Sequence, residues 1–119
     1  IADKTSFNMI FNRLGVFPNV RHPKVIWMGP EKSCPEVISL QRDINTKLNQ
    51  CDQFVKEKRF SPHITLSRVR RHIKPGTLKK ALGVETDPIT ISVNQVHLVK
   101  SRLYPSGAVH TSLFCADLK

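Results

Sequence analysis

His63 and Thr65 are the residues in this 119-residue chain whose types and spacing most directly suggest chemistry. They lie in the segment FSPHITLSRV (Phe60 to Val69), where Pro62 bars an earlier start to a central strand and the residues after it alternate. On a strand, side chains two apart share a face. His63 and Thr65 therefore converge on one small volume, while Ile64 and Leu66 are expected to pack on the other face. An imidazole moves a proton near neutral pH, and a hydroxyl hydrogen-bonds a non-bridging phosphate oxygen. Together they suit acid–base work on a phosphate ester. A surface histidine beside a strand-favoured threonine has the same pattern, so the pair needs its surroundings to acquire meaning.

Composition points the same way without deciding it. Lys and Arg number 19 against 9 Asp and Glu, giving a formal charge of +10, so the field of the chain attracts polyanions before any specific contact forms. Nucleic acid leads the partners that this charge suits, although a basic protein with no such partner has the same balance. Cys34, Cys51 and Cys115 are odd in number and widely spaced, with no C-x-x-C pairing of the kind that marks zinc or a redox centre. No metal and no cofactor are expected, and a reducing cytoplasm is the simplest location. No run approaches the roughly twenty apolar residues that span a bilayer, and IADKTS at the N-terminus lacks the basic and apolar regions of a signal peptide.

The elements that must hold the pair follow from periodicity. The length fits one domain over residues 1–119, without an internal repeat or linker. Ser6 to Val16 reads as one half-buried strand with Phe7, Met9 and Phe11 on one face, closed by Gly15 and Pro18-Asn19. Val25 to Met28, between Pro23 and Gly29-Pro30, reads as a second strand. Ser33 and Glu36 have capping-box spacing with Pro35 in the first turn, and Val37, Leu40, Ile44, Leu48 and Cys51 recur at helical steps. That predicts an amphipathic helix packed on a sheet. The charged run Lys56 to Arg59 leads to a strand over His63 to Val69, then a short helix over Thr77 to Leu82. Further strands are expected at Ile89 to Val93, Val96 to Leu103 and Ala108 to Leu118, the last pair joined by the Pro105-Ser106-Gly107 turn.

The block RFSPHITLSR (Arg59 to Arg68) resembles the second motif of the LigT-like 2H phosphoesterases, also called bacterial and archaeal 2′-5′ RNA ligases. LGVFPNVRHPKVIWMG (Leu14 to Gly29) is similar to the family segment carrying F-P and P-x-V-x-W. VHLVKSRLYPSGAVHTSL (Val96 to Leu113) resembles its closing S-x-L-x-P-x-G strand pair. Three blocks in family order cover most of the chain. The resemblance implies an α+β fold of two lobes, each an antiparallel sheet with helices outside, and one H-x-T from each lobe at a cleft between them. It also implies a metal-free mechanism: one His activates water against a 2′,3′-cyclic phosphate, the other protonates the departing ribose oxygen, and the Thr residues hold the phosphate. The family's first H-x-T lies upstream of Ile1, so the chain is expected to be N-terminally truncated relative to the family.

The resemblance thus marks His63 and Thr65 as catalytic. Arg68, next to the motif, is a candidate for the phosphate or a ribose oxygen, but strict alternation places it on the Ile64 and Leu66 face unless the strand bulges or ends first. Phe60 is a candidate for stacking on a base at the cleft rim. His110 with Ser112 reads as H-x-S, yet aligned by P-x-G it falls where the family carries a structural Tyr and is left out of the site. His22, His72 and His97 have no partner pattern and are read as surface residues. The expected activity is RNA 2′,3′-cyclic phosphodiesterase, with 2′-5′ ligation as a side reaction and RNA or a cyclic nucleotide as partner. The competing readings are a non-catalytic basic RNA-binding module and an inactive fragment of such an enzyme.

Overall fold

Antiparallel pairing sorts the strands into three small sheets in the computed structural model, which describes residues 3–51 and 60–119. The charged run Lys56 to Arg59 lies outside the described residues. The elements, in chain order, are β1 (Phe7–Phe11), β2 (Arg13–Phe17), β3 (Val25–Gly29), α1 (Pro35–Leu48), β4 (Ile64–Arg68), α2 (Pro75–Leu82), β5 (Ile89–Val93), β6 (Gln95–Tyr104) and β7 (Gly107–Asp117). β1 pairs with β5, β2-β3-β4 form a second sheet, and β6 and β7 make a long hairpin.

The single strand expected over Ser6 to Val16 is two strands in two sheets. Asn12 is the pivot. Its backbone N–H donates to Gly29 O at 3.1 Å, its side-chain oxygen accepts from Glu31 N at 2.9 Å, and its amide nitrogen donates to the Glu31 carboxylate at 3.2 Å. With its side chain committed across to Glu31, the chain leaves the β5 ladder and joins β3. The expected face survives the break: Met9 and Phe11 are buried and cluster with Met28, and Phe7, Leu14, Val37 and Ile91 close around them. This is the core that ties the first two sheets and the start of α1 together.

Helix α1 begins one residue later than its capping signal predicts. Cys34 is the N-cap, no side chain caps the helix, and Pro35 occupies the first turn, where its missing donor has no partner to lose. The Ser33–Glu36 box does not form. Glu36 instead accepts from Cys34 Sγ at 3.4 Å. Leu40 is buried, and Val37, Ile44 and Leu48 are half-buried, as the periodicity requires. Cys51 lies past the helix end and is exposed. Lys4 fastens the N-terminal segment to this helix through an ion pair with Asp43 and a hydrogen bond to Ser39. The Asp43 carboxylate, accepting a hydrogen bond from its ammonium, holds the Lys4 pKa above its usual value.

α2 starts at Pro75, again as a first-turn proline, and its Leu78 is the most deeply buried side chain among the described residues. The β6–β7 hairpin closes through a two-residue turn into Gly107, whose φ of 128° is a conformation that side-chain-bearing residues rarely adopt. Much of the hairpin's apolar surface is accessible, including Leu103, Leu113 and Phe114. The radius of gyration, 16.3 Å, exceeds the roughly 13–14 Å of a compact domain of this length. No helix among the described residues is long and apolar enough to cross a membrane.

Candidate active site

The β2-β3-β4 sheet builds the face that carries His63 and Thr65. Residues directly opposite in an antiparallel ladder share a face. Gly15 and Thr65 both oppose Trp27, while Phe17 and Arg68 both oppose Val25. Trp27 and Val25 are two apart on β3, so Gly15, Phe17, Trp27, Thr65 and Arg68 all belong to one side. Arg68 reaches that side through a bulge. Trp27 pairs with Thr65 and the adjacent Ile26 pairs with Ser67, which leaves Leu66 as an extra residue and shifts every later residue of β4 by one. Strict alternation would have put Arg68 on the opposite face.

His63 immediately precedes β4 and is exposed, as is Thr65. Its ring forms a T-shaped pair with Phe17, with centroids 5.0 Å apart and planes at 87°, and the Trp27 ring lies 6.3 Å away. Nδ1 lies 2.7 Å from Ser61 O. A carbonyl only accepts, so this contact is a hydrogen bond when Nδ1 carries the proton, and in the neutral ring Nε2 is then the free base. The imidazole is therefore oriented by an aromatic wall and by its own preceding loop.

The aromatic wall rests on two glycines. A Cβ on Gly15 would lie 2.1 Å from Trp27 Cζ2, and one on Gly29 would lie 2.9 Å from Trp27 Cζ3 and 3.0 Å from Pro62 O. The indole thus lies flat over backbone that only glycine leaves open. Phe17 packs on it at 5.0 Å and the Arg13 guanidinium sits 5.3 Å from its ring centroid. Trp27 is only 5% exposed, and its buried Nε1 has no hydrogen-bond partner among the described residues.

One expectation is corrected. Ile64 and Leu66 are not buried in a packed face: they are 41% and 55% exposed. β4 is an edge strand, and Leu66 is the bulge residue, withdrawn from regular pairing. Phe60 is exposed, three residues before His63 in the chain, and Arg59, which opens its sequence block, lies outside the described residues.

Sequence reasoning missed the partners of two histidines on the β6–β7 hairpin. His97 contacts Ser112 Oγ at 2.9 Å, Gln95 Oε1 at 3.3 Å and Cys115 Sγ at 3.6 Å, and His110 contacts Ser101 Oγ at 2.8 Å. Ser112 and Cys115 reach His97, and Ser101 reaches His110, from the neighbouring strand, contacts visible only once the register is known, whereas Gln95 lies two residues from His97 on β6 itself. His22, His72 and His97 are exposed, as expected. Among the described residues, no group of three or more His, Cys, Asp or Glu side chains is arranged to hold a metal. A cavity of about 410 Å³ between β1 and the start of α1, lined by Asn8, Asn12, Lys32, Cys34 and Glu36 among others, includes none of the site residues, so size alone does not locate the chemistry.

The fold has close counterparts. LigT of E. coli, in its apo form, superposes with a TM-score of 0.70 at 19% identity, covering 98% of this chain and 60% of that one. The TT0787 protein of Thermus thermophilus gives 0.68 at 23% identity, covering 97% and 62%. The expected α+β arrangement of antiparallel sheets with helices outside is therefore the fold of this chain. In sequence, it is 31% identical over 110 residues to the RNA 2′,3′-cyclic phosphodiesterase of Methanothermobacter thermautotrophicus, covering 90% of this chain and 58% of the relative. It is 28% identical to that of Aquifex aeolicus, covering 88% and 57%. The chain thus spans under three-fifths of the length of these relatives. The family's sequence profile matches residues 1–104, and on that evidence the chain belongs to the 2′-5′ RNA ligase superfamily.

Proposed function

We propose that the complete protein is an RNA 2′,3′-cyclic phosphodiesterase, opening 2′,3′-cyclic phosphate ends with water, and forming a 2′-5′ bond as a side reaction when a 5′-hydroxyl attacks the cyclic phosphate in place of water. The observation that carries this reading is the sheet face shared by Thr65 and Arg68, with the His63 ring set against Phe17 and Trp27 of that face and its Nδ1 committed to Ser61 O. Relatives named for that activity and membership of the superfamily support it. In this reading His63 Nε2 takes a proton from the attacking water or returns one to the departing ribose oxygen. Thr65 Oγ donates to a non-bridging phosphate oxygen, and Arg68 offers a charged, forked donor set beside it. Phe60 supplies a stacking surface for a base at the rim.

Displacement at phosphorus uses two proton-transfer groups, and this sequence holds one H-x-T. The reading therefore assigns the second to the rest of the complete protein, and takes residues 1–119 as part of a single catalytic domain. Three free cysteines fit a cytoplasmic location. The test is hydrolysis of a 2′,3′-cyclic phosphate by the complete protein. His63→Ala is expected to lower turnover by roughly 10²- to 10⁴-fold with little change in binding, and Thr65→Ala to cost less. EDTA is expected to leave the rate unchanged, because side chains carry every proton transfer in this reading. Undiminished turnover in His63→Ala overturns it.

A further inference from the structure

We propose that a basic cavity at the end of the β3–β4 ladder binds the phosphodiester backbone of an RNA strand whose terminal phosphate lies at His63. The ligand of choice is then a polynucleotide end rather than a mononucleotide. This rests on the reading of the His63 face as a phosphate-ester site. The cavity, about 290 Å³, lies between the β2–β3 loop and the segment that follows β4. Arg21, His22, Lys24, Arg70, Arg71 and His72 line it, all of them exposed. The remaining lining residues, Pro23, Val69 and Ile73, are half-buried.

Among the described residues, no carboxylate forms an ion pair with this cluster. No Asp or Glu occurs anywhere in residues 4–30 or 60–84, the two stretches that build both the cavity and the His63 face. The charges of Arg21, Lys24, Arg70 and Arg71 repel one another, and a polyanion relieves that repulsion while releasing its own counterions. The apolar lining is too withdrawn to enter a lipid layer, which needs an exposed apolar face beside the charges. RNA fits the cavity better than a membrane does.

The cavity is also fixed in position relative to the site. Lys24 N donates to Phe17 O at 2.8 Å, and Val69 N donates to Lys24 O at 2.9 Å. The cationic loops are thereby tied to Phe17, the residue that walls His63, and to the strand that carries Thr65. From Thr65 to Val69 the chain rises about 13 Å. That is roughly four nucleotides of a stacked strand at about 3.4 Å each, farther than a mononucleotide reaches. Arg68 lies on the way, turned to the Thr65 side by the Leu66 bulge. A strand leaving the site along β4 meets cationic side chains from Arg68 to the cavity.

The experiment uses the complete protein and two substrates: 2′,3′-cyclic AMP, and an eight-nucleotide RNA ending in a 2′,3′-cyclic phosphate. Arg70→Gln with Arg71→Gln, and separately Arg21→Gln with Lys24→Gln, are expected to raise KM for the oligonucleotide about tenfold or more while changing kcat/KM for cyclic AMP less than twofold. The Arg70→Lys, Arg71→Lys variant is expected to keep oligonucleotide affinity, which separates lost charge from misfolding. Equal losses on both substrates, or no loss on the oligonucleotide, overturn the proposal. Should neither substrate be hydrolysed by the unmodified protein, the phosphodiesterase reading fails by itself. Fluorescence anisotropy with a 3′-phosphorylated oligonucleotide then still tests the cavity: weaker binding in the Gln variants sustains it, and unchanged binding overturns it. Capture by anionic vesicles without binding of the oligonucleotide also overturns it.

Discussion

A carbonyl oxygen has no proton to give, and the 2.7 Å contact between Ser61 O and His63 Nδ1 therefore leaves Nε2 as the unprotonated nitrogen of the neutral ring, the one to which the proposed function gives the proton transfer. At Arg68 the decisive fact is one unpaired residue. Leu66 drops out of the β3–β4 ladder, and the guanidinium joins the Thr65 side. If it meets the phosphate there, Arg68→Ala removes a charge-assisted hydrogen bond and is expected to cost roughly 10- to 100-fold in kcat/KM for a cyclic phosphate. Arg68→Lys is expected to recover only part of the loss, because an ammonium cannot form the planar fork. Steady-state kinetics of the two variants decide this. Unchanged kcat/KM in Arg68→Ala would place the side chain away from the phosphate. The placement of His63 and Thr65 on one face was legible in their spacing. The standing of Arg68 was not, because alternation is blind to a bulge.

At the scale of elements, the wall behind His63 depends on a glycine in mid-strand. Gly15 leaves room for the Trp27 indole, and a methyl group there would sit 2.1 Å from a ring carbon. Gly15→Ala must push the indole off β2, at a cost of about 1–3 kcal/mol. The melting temperature is expected to fall by several degrees, with a red shift in the emission of the chain's single tryptophan. Gly76→Ala is the matched control: nothing lies within 4 Å of its added Cβ, and in the first turn of α2 it is expected to be neutral or mildly stabilising. An unshifted melting curve for Gly15→Ala would remove the indole from its assigned role. Most element types were readable because both periodicities, two for strands and three to four for α1, are plain in the sequence. The break at Asn12 was not, since Phe7, Met9 and Phe11 alternate straight up to it and the reason to stop lies 19 residues away at Glu31. The cap failed for a related reason: Ser33 and Glu36 have the spacing, but Pro35 sets the helix start at its own position and leaves Cys34 as the cap.

Charge separation is a property of the whole molecule. The net +10 could be counted from the sequence, and so could the two acid-free stretches. Their meeting point could not, because it depends on the hydrogen bonds that join Phe17, Lys24 and Val69 across the sheet end. The same organisation leaves apolar residues of β4 and of the β6–β7 hairpin accessible, so the exposed surface offers both cationic and apolar regions. These respond oppositely to salt. If RNA is held through the cationic region, each neutralised phosphate releases counterions and log affinity falls with log salt by about 0.7 per phosphate for a single strand. For about four phosphates, raising salt from 50 to 200 mM is expected to weaken binding of an oligoribonucleotide roughly 50-fold. Binding through the apolar surface would hold steady or strengthen over the same range, because screening does not weaken apolar burial. Anisotropy titrations of one labelled oligoribonucleotide across that range distinguish the two. A flat or rising affinity would assign RNA capture, if any, to the apolar hairpin and take the cationic stretches out of the account.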